Sequence, residues 1–122
     1  MRVLVIGGTG FIGPPIVHRL SAAGHEVIVY HRGEHEPDLP PSVRHIHHPD
    51  AATPVLSFPA QVRELRPDVA LHMTLHGERD ARAAVKALRG ESGRLVMISS
   101  ADVYRAYDPA LSAQRQCRIL TL

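Results

Sequence analysis

A doubly wound, parallel α/β sheet is the fold class this chain predicts, and three observations predict it. Five short apolar runs recur, at residues 3–6, 27–30, 43–46, 69–73 and 95–98. They are nearly uninterrupted by polar residues, as strands covered on both faces should be. Stretches with helical or turn character separate them, the alternation expected of βαβ units. Between the first two runs lies a glycine turn, Gly7-Gly8-Thr9-Gly10-Phe11-Ile12-Gly13.

Each element has a local reason. Val3-Leu4-Val5-Ile6 is the first strand, and the glycines after it permit a sharp exit. A helix follows from Gly13 or Pro14 to Ala23, because proline suits a first turn whose N–H groups lack partners anyway. Ile16, Val17 and Leu20 fall at helical spacing, and Gly24 closes the helix. Val27-Ile28-Val29-Tyr30 is the second strand. Residues 33–41, rich in Gly, Pro, Glu and Asp, form a surface loop before the third. Residues 59–65 predict a short helix with Val62 and Leu65 on one face, ended by the turn Arg66-Pro67-Asp68. Residues 79–88 predict another, with Ala83, Ala84, Ala87 and Leu88 inward and Gly90 as its stop. Right-handed crossovers then favour five strands in the order 3-2-1-4-5, a Rossmann-type sheet with its ligand crevice where the order reverses.

The domain reading is one unit over residues 1–107, with an atypical tail at 108–122. Asp108-Pro109 breaks the chain there, and the tail reads as a short helix or a frayed end. A net charge of +2 is close to neutral for 122 residues, which gives no reason to expect nucleic acid. The single cysteine, Cys117, excludes an internal disulfide and suits a reducing compartment. Without a signal-peptide core or a membrane-length apolar run, the expected location is the cytoplasm.

The site chemistry begins at the glycines. Gly7 allows the turn, Gly10 lets backbone approach a phosphate, and Gly13 allows close contact between helix and strand. Together with Phe11 and Ile12 they present N–H groups to a dinucleotide pyrophosphate at a helix N-terminus. The end of the second strand reads Tyr30-His31-Arg32-Gly33, where an NAD site normally offers a carboxylate to the ribose hydroxyl. Arg32 cannot accept those hydrogen bonds but can pair with a 2′-phosphate, so NADP is preferred over NAD. Glu34 remains within reach of the ribose, and a solvated loop arginine is the plain alternative. The last apolar run leads into Ser99-Ser100, hydroxyls at the carboxyl end of a strand. There they can donate to a substrate oxygen that gains negative charge, or simply cap a turn.

Residues 7–13 together with Ile98-Ser99-Ser100-Ala101-Asp102-Val103-Tyr104 resemble the NAD(P)-dependent epimerase/dehydratase family, within the extended short-chain dehydrogenases/reductases. The resemblance covers roughly residues 1–105. It implies an oxidoreductase acting on a nucleotide sugar or a similar carbonyl or alcohol substrate. It also implies Ser100 as the catalytic hydroxyl and an acidic dehydratase position at Asp102. It puts His72 in a segment that passes near the cofactor, and Asp50 as a partner for the adenine amino group. The family pairs through helices after its fourth and fifth strands, which implies a homodimer or a partner chain. One family feature is absent: no Tyr-x-x-x-Lys occurs, and the last lysine is Lys86. The expectation is therefore a cofactor-binding domain that is truncated and catalytically incomplete. A non-catalytic NADP(H) sensor or regulatory module is the alternative. His31, His35, His45, His47 and His48 invite a metal reading, and alternation puts His45 and His47 on one strand face. No Cys or carboxylate spacing accompanies them, so no metal site is expected and loop histidines are preferred.

Overall fold

In the computed structural model, which describes residues 1–98, five parallel strands form one sheet. They are β1 (Arg2–Ile6), β2 (Glu26–His31), β3 (Arg44–His47), β4 (Val69–His72) and β5 (Arg94–Met97), in the order β3-β2-β1-β4-β5. This is the predicted order. The helices are α1 (Gly13–Ala22), α2 (Ala60–Arg63) and α3 (Glu78–Leu88), and a 3-10 turn at Pro49–Ala51 follows β3. Ser100, Asp102 and the 108–122 tail lie outside the described residues. Among the described residues, no helix is long and apolar enough to cross a membrane.

The apolar runs are strands because both of their faces are covered. Leu4, Ile6, Ile28, Tyr30 and Ala70 point to one side and pack with Val62 of α2 and with Ala84 and Leu88 of α3. Val3, Val5, Val27 and Val29 point to the other and pack with Val17 of α1 and with Val43. Alternation along each strand makes this division. Apart from their first residues, β1 and β2 are buried throughout, whereas β3 and β5 hold the sheet edges and are only partly covered.

Most boundaries differ from expectation by a residue or two. One shift has consequences: β2 extends to His31 and β3 runs to His47, because the parallel ladder continues until those two residues stand opposite each other. The polar residues remain in the strands since their side chains engage one another at the carboxyl edge.

The start of α3 is held by a buried carboxylate. Asp80 Oδ2 accepts the His76 N–H at 2.6 Å, and Oδ1 accepts those of Gly77 at 2.8 Å and Ala81 at 3.0 Å. Burial alone pushes its pKa up. The backbone donors of His76, Gly77, Asp80 and Ala81 outweigh that, and the carboxyl is held below the usual range. A depressed folded-state pKa contributes stability above the unfolded pKa, near 4, and loses it as pH falls through the folded value. Asp80→Asn is accordingly expected to destabilise the domain by about 2 kcal/mol at neutral pH. The gap from wild type should narrow as the solution is acidified below about pH 4, which urea unfolding at pH 7 and pH 3 will measure.

Candidate functional site

All five strands end at the same edge of the sheet, and the order reverses between β1 and β4. Open α/β sheets bind ligands in the crevice at such a point. The turn after β1 forms its floor. Gly7 and Gly8 both adopt positive φ, 84° and 83°, a conformation that side chains disfavour. The Gly7 N–H donates to the Tyr30 carbonyl at 2.9 Å, which ties the turn to the end of β2. The Gly13 N–H closes the turn onto the Gly10 carbonyl at 3.1 Å. Gly13 seats the start of α1 directly on the backbone of Gly8, so its close contact is with the turn itself rather than with a strand.

Gly10 differs from the others. A Cβ built on it meets nothing within 4 Å, so the backbone there faces open space. Among the described residues, the N–H groups of Gly10, Phe11 and Ile12 find no protein acceptor. Ile12, the N-cap of α1, offers no capping side chain, and the first turn carries no acidic residue. A helix N-terminus carries partial positive charge and unsatisfied donors, which an anion can meet. Pro14 and Pro15 lack N–H groups, so the donors available to an anion are concentrated in the turn before them. Phe11 is 98% exposed and Ile12 about half exposed, leaving apolar surface at the mouth of the crevice. The chemistry of this donor set fits a dinucleotide pyrophosphate.

Arg32 stands just past β2 as expected, exposed, with its guanidinium 2.8 Å from Glu34. A phosphate would have to compete with that carboxylate. Asp50 lies in the 3-10 turn after β3, where Oδ2 accepts the Ser57 hydroxyl at 2.5 Å and the other oxygen faces His48. His72, opposite Ile6 in the ladder, is completely buried on the α3 side. Burial pushes its pKa down against the opposing pull of Asp80. Among the described residues, neither of its ring nitrogens has a hydrogen-bond partner. The contact between the β4 segment and the glycine turn is made by Thr74: its Cγ2 lies 2.5 Å from where a Gly7 Cβ would stand. Neither Thr74 nor Gly8 is among the residues that the sequence assigns to the site. The signal for Gly8 was its adjacency to Gly7, whereas nothing local marked Thr74.

An open groove of about 620 Å³ between α2 and α3 includes Arg63, Arg66, Lys86 and Arg89 in its lining. It lies by the C-terminal ends of those helices, at the opposite edge of the sheet from the glycine turn. It has no part in the crevice.

A model of the NAD dependent epimerase/dehydratase family matches residues 3–118. The chain is 36% identical over 104 residues to a 2'-dehydrokanamycin reductase from Streptomyces kanamyceticus, covering 82% of this chain. It spans 28% of that relative's length. A crystal structure of a UDP-galactose 4-epimerase superposes with a TM-score of 0.62 at 23% identity, covering 88% of this chain and 41% of the other. That likeness is one of fold.

Proposed function

The chain belongs to the NAD dependent epimerase/dehydratase family, and from that premise we propose that it is the dinucleotide-binding part of an oxidoreductase. The observation that carries this reading is the uncapped start of α1, with the open space at Gly10 and, among the described residues, no acceptor for the N–H groups of Gly10, Phe11 and Ile12. Those N–H groups would hold the pyrophosphate, and Arg32 after β2 and Asp50 after β3 would meet the ribose and adenine. Arg32 leaves Glu34 to pair with a 2′-phosphate, which favours NADP over NAD. Asp50 keeps one carboxylate oxygen for the adenine amino group.

When bound, the nicotinamide supplies or accepts the hydride. The substrate is a carbonyl or alcohol on a sugar or sugar-like group; the similarity to a reductase supports reduction of the carbonyl. Ser100 falls at the family's catalytic hydroxyl and donates to the reacting oxygen, stabilising charge that develops there. The chain contains no Tyr-x-x-x-Lys, so the family's acid/base pair is not among its residues.

The test is a titration of the protein with NADPH and NADH, followed by nicotinamide fluorescence and thermal stability. NADPH should bind more tightly than NADH, and Arg32→Ser should reduce that preference by about tenfold, the loss of roughly one ion pair of 1–2 kcal/mol. Tighter binding of NADH by the wild type would exclude the role given to Arg32. Binding of neither nucleotide to the folded protein would exclude the cofactor site itself.

A further inference from the structure

We propose that His31, Glu36, His45 and His47 form a site for one divalent transition-metal ion of the zinc type, at the carboxyl edge of β2 and β3. The strand ladder builds most of it. His31 stands opposite His47, and His45 lies two residues earlier on the same face of β3. The loop after β2 then returns Glu36 over the three rings. One donor atom from each of the four residues lies within 4.8 Å of all the others. His31 Nε2 is 2.9 Å from His45 Nδ1, while Glu36 oxygens lie 2.8 Å from His47 Nε2 and 3.4 Å from His45 Nδ1. His31 Nε2 is 3.9 Å from the nearer Glu36 oxygen. Ligands of a tetrahedral zinc ion, at metal distances near 2.1 Å, stand about 3.4 Å apart. The four donor atoms are close enough together to share one ion.

The donor set selects the class of metal. Three imidazole nitrogens and one carboxylate suit zinc, cobalt, nickel or copper, while calcium and magnesium require oxygen ligands. Charge points the same way. With neutral rings the cluster carries the single negative charge of Glu36, and the nearby guanidinium of Arg32 is engaged by Glu34. His48 is not a member: its Nδ1 accepts the Asp50 N–H at 3.1 Å in a local cap.

One rearrangement accompanies loading. His31 Nδ1 accepts the Gly33 N–H at 3.2 Å, which places the proton of a neutral ring on Nε2, toward His45. Ligation through Nε2 shifts that proton to Nδ1, and the Gly33 amide, now facing another donor, turns away. Gly33 has a φ of 84°, in the region glycine adopts freely, so the loop can make this change.

The experiment is a Co²⁺ titration of the full chain, read by visible absorption and by amide NMR. Tetrahedral Co²⁺ absorbs far more strongly than the hydrated octahedral ion. The wild type should develop that band, saturate at one equivalent and lose it on addition of Zn²⁺. Zn²⁺ should also move the Gly33 amide resonance. His47→Ala and Glu36→Gln should each weaken Co²⁺ binding by at least about tenfold, while His48→Ala should leave it unchanged. The His47 side chain is half exposed, so its removal leaves the sheet intact, and far-UV circular dichroism verifies this. Failure of the wild type to bind, an undiminished band in His47→Ala, or an equal loss in His48→Ala would each overturn the site. A Gly33 resonance unmoved by saturating Zn²⁺ would remove His31 from it.

Discussion

Gly13→Ala is expected to destabilise the domain by about 3 kcal/mol or more, because the added methyl enters backbone that has no room to yield. The Cβ would overlap the Gly8 carbonyl and come within 2.5 Å of the Gly8 Cα. A flexible side chain can rotate away from such a clash, but these atoms belong to a turn fixed at both ends. Gly8 itself sits at positive φ over Val5, and Gly7 is tied to Tyr30 by a backbone hydrogen bond. Relief therefore requires α1 to lift from the turn, which separates Val17 from the valines of β1 and β2. For a domain of this size a loss of that magnitude lowers the melting temperature by roughly 15 °C. Thermal unfolding followed by circular dichroism measures it, and a shift of only a few degrees would show that the turn is softer than its geometry implies.

Gly10→Val should have the opposite character, with the fold retained and cofactor binding lost. A side chain at Gly10 has free space, and the residue is outside the positive-φ region that penalises side chains. The melting temperature should stay within a few degrees of wild type. The valine would occupy the volume through which a phosphate approaches the N–H groups of Gly10, Phe11 and Ile12. Affinity for NADPH should fall by at least about 100-fold, equivalent to roughly 2.7 kcal/mol. Wild-type affinity in this variant, measured by calorimetric titration, would mean that the dinucleotide does not cross the turn at Gly10.

These two glycines also show what the sequence made legible. Their spacing after an apolar run marked a turn between strand and helix, and the alternation of runs predicted the strand order that the structure has. Such features depend on periodicity and local backbone demands, which residues close in sequence encode. The contact that makes Gly13 indispensable is likewise local, with Gly8, although the apolar strand beside it was the expected partner. Thr74 meets Gly7 only after β4 has been laid beside β1, and no pattern near either residue announces it. His72 read as a residue close to a cofactor, yet its position opposite Ile6 turns it to the α3 side.

The histidines mark the clearest limit. Alternation put His45 and His47 on one face, but the register that adds His31 depends on how far the β2–β3 ladder runs. Glu36 completes the group through the path of a loop, and composition identifies a loop without tracing it. Ligand spacing along the chain therefore does not reveal that carboxylate. Ser100 and the residues after it contribute only through their resemblance to the family motif.

The proposed cofactor site rests on the N–H groups of Gly10, Phe11 and Ile12, unpaired among the described residues, holding the phosphates of a nicotinamide dinucleotide. Amide NMR of the ¹⁵N-labelled protein during addition of NADPH tests it most directly. Saturable shifts should be largest at Gly10, Phe11 and Ile12, with smaller ones at Arg32 and Gly33. Saturable binding that leaves the resonances of residues 7–13 in place would contradict it.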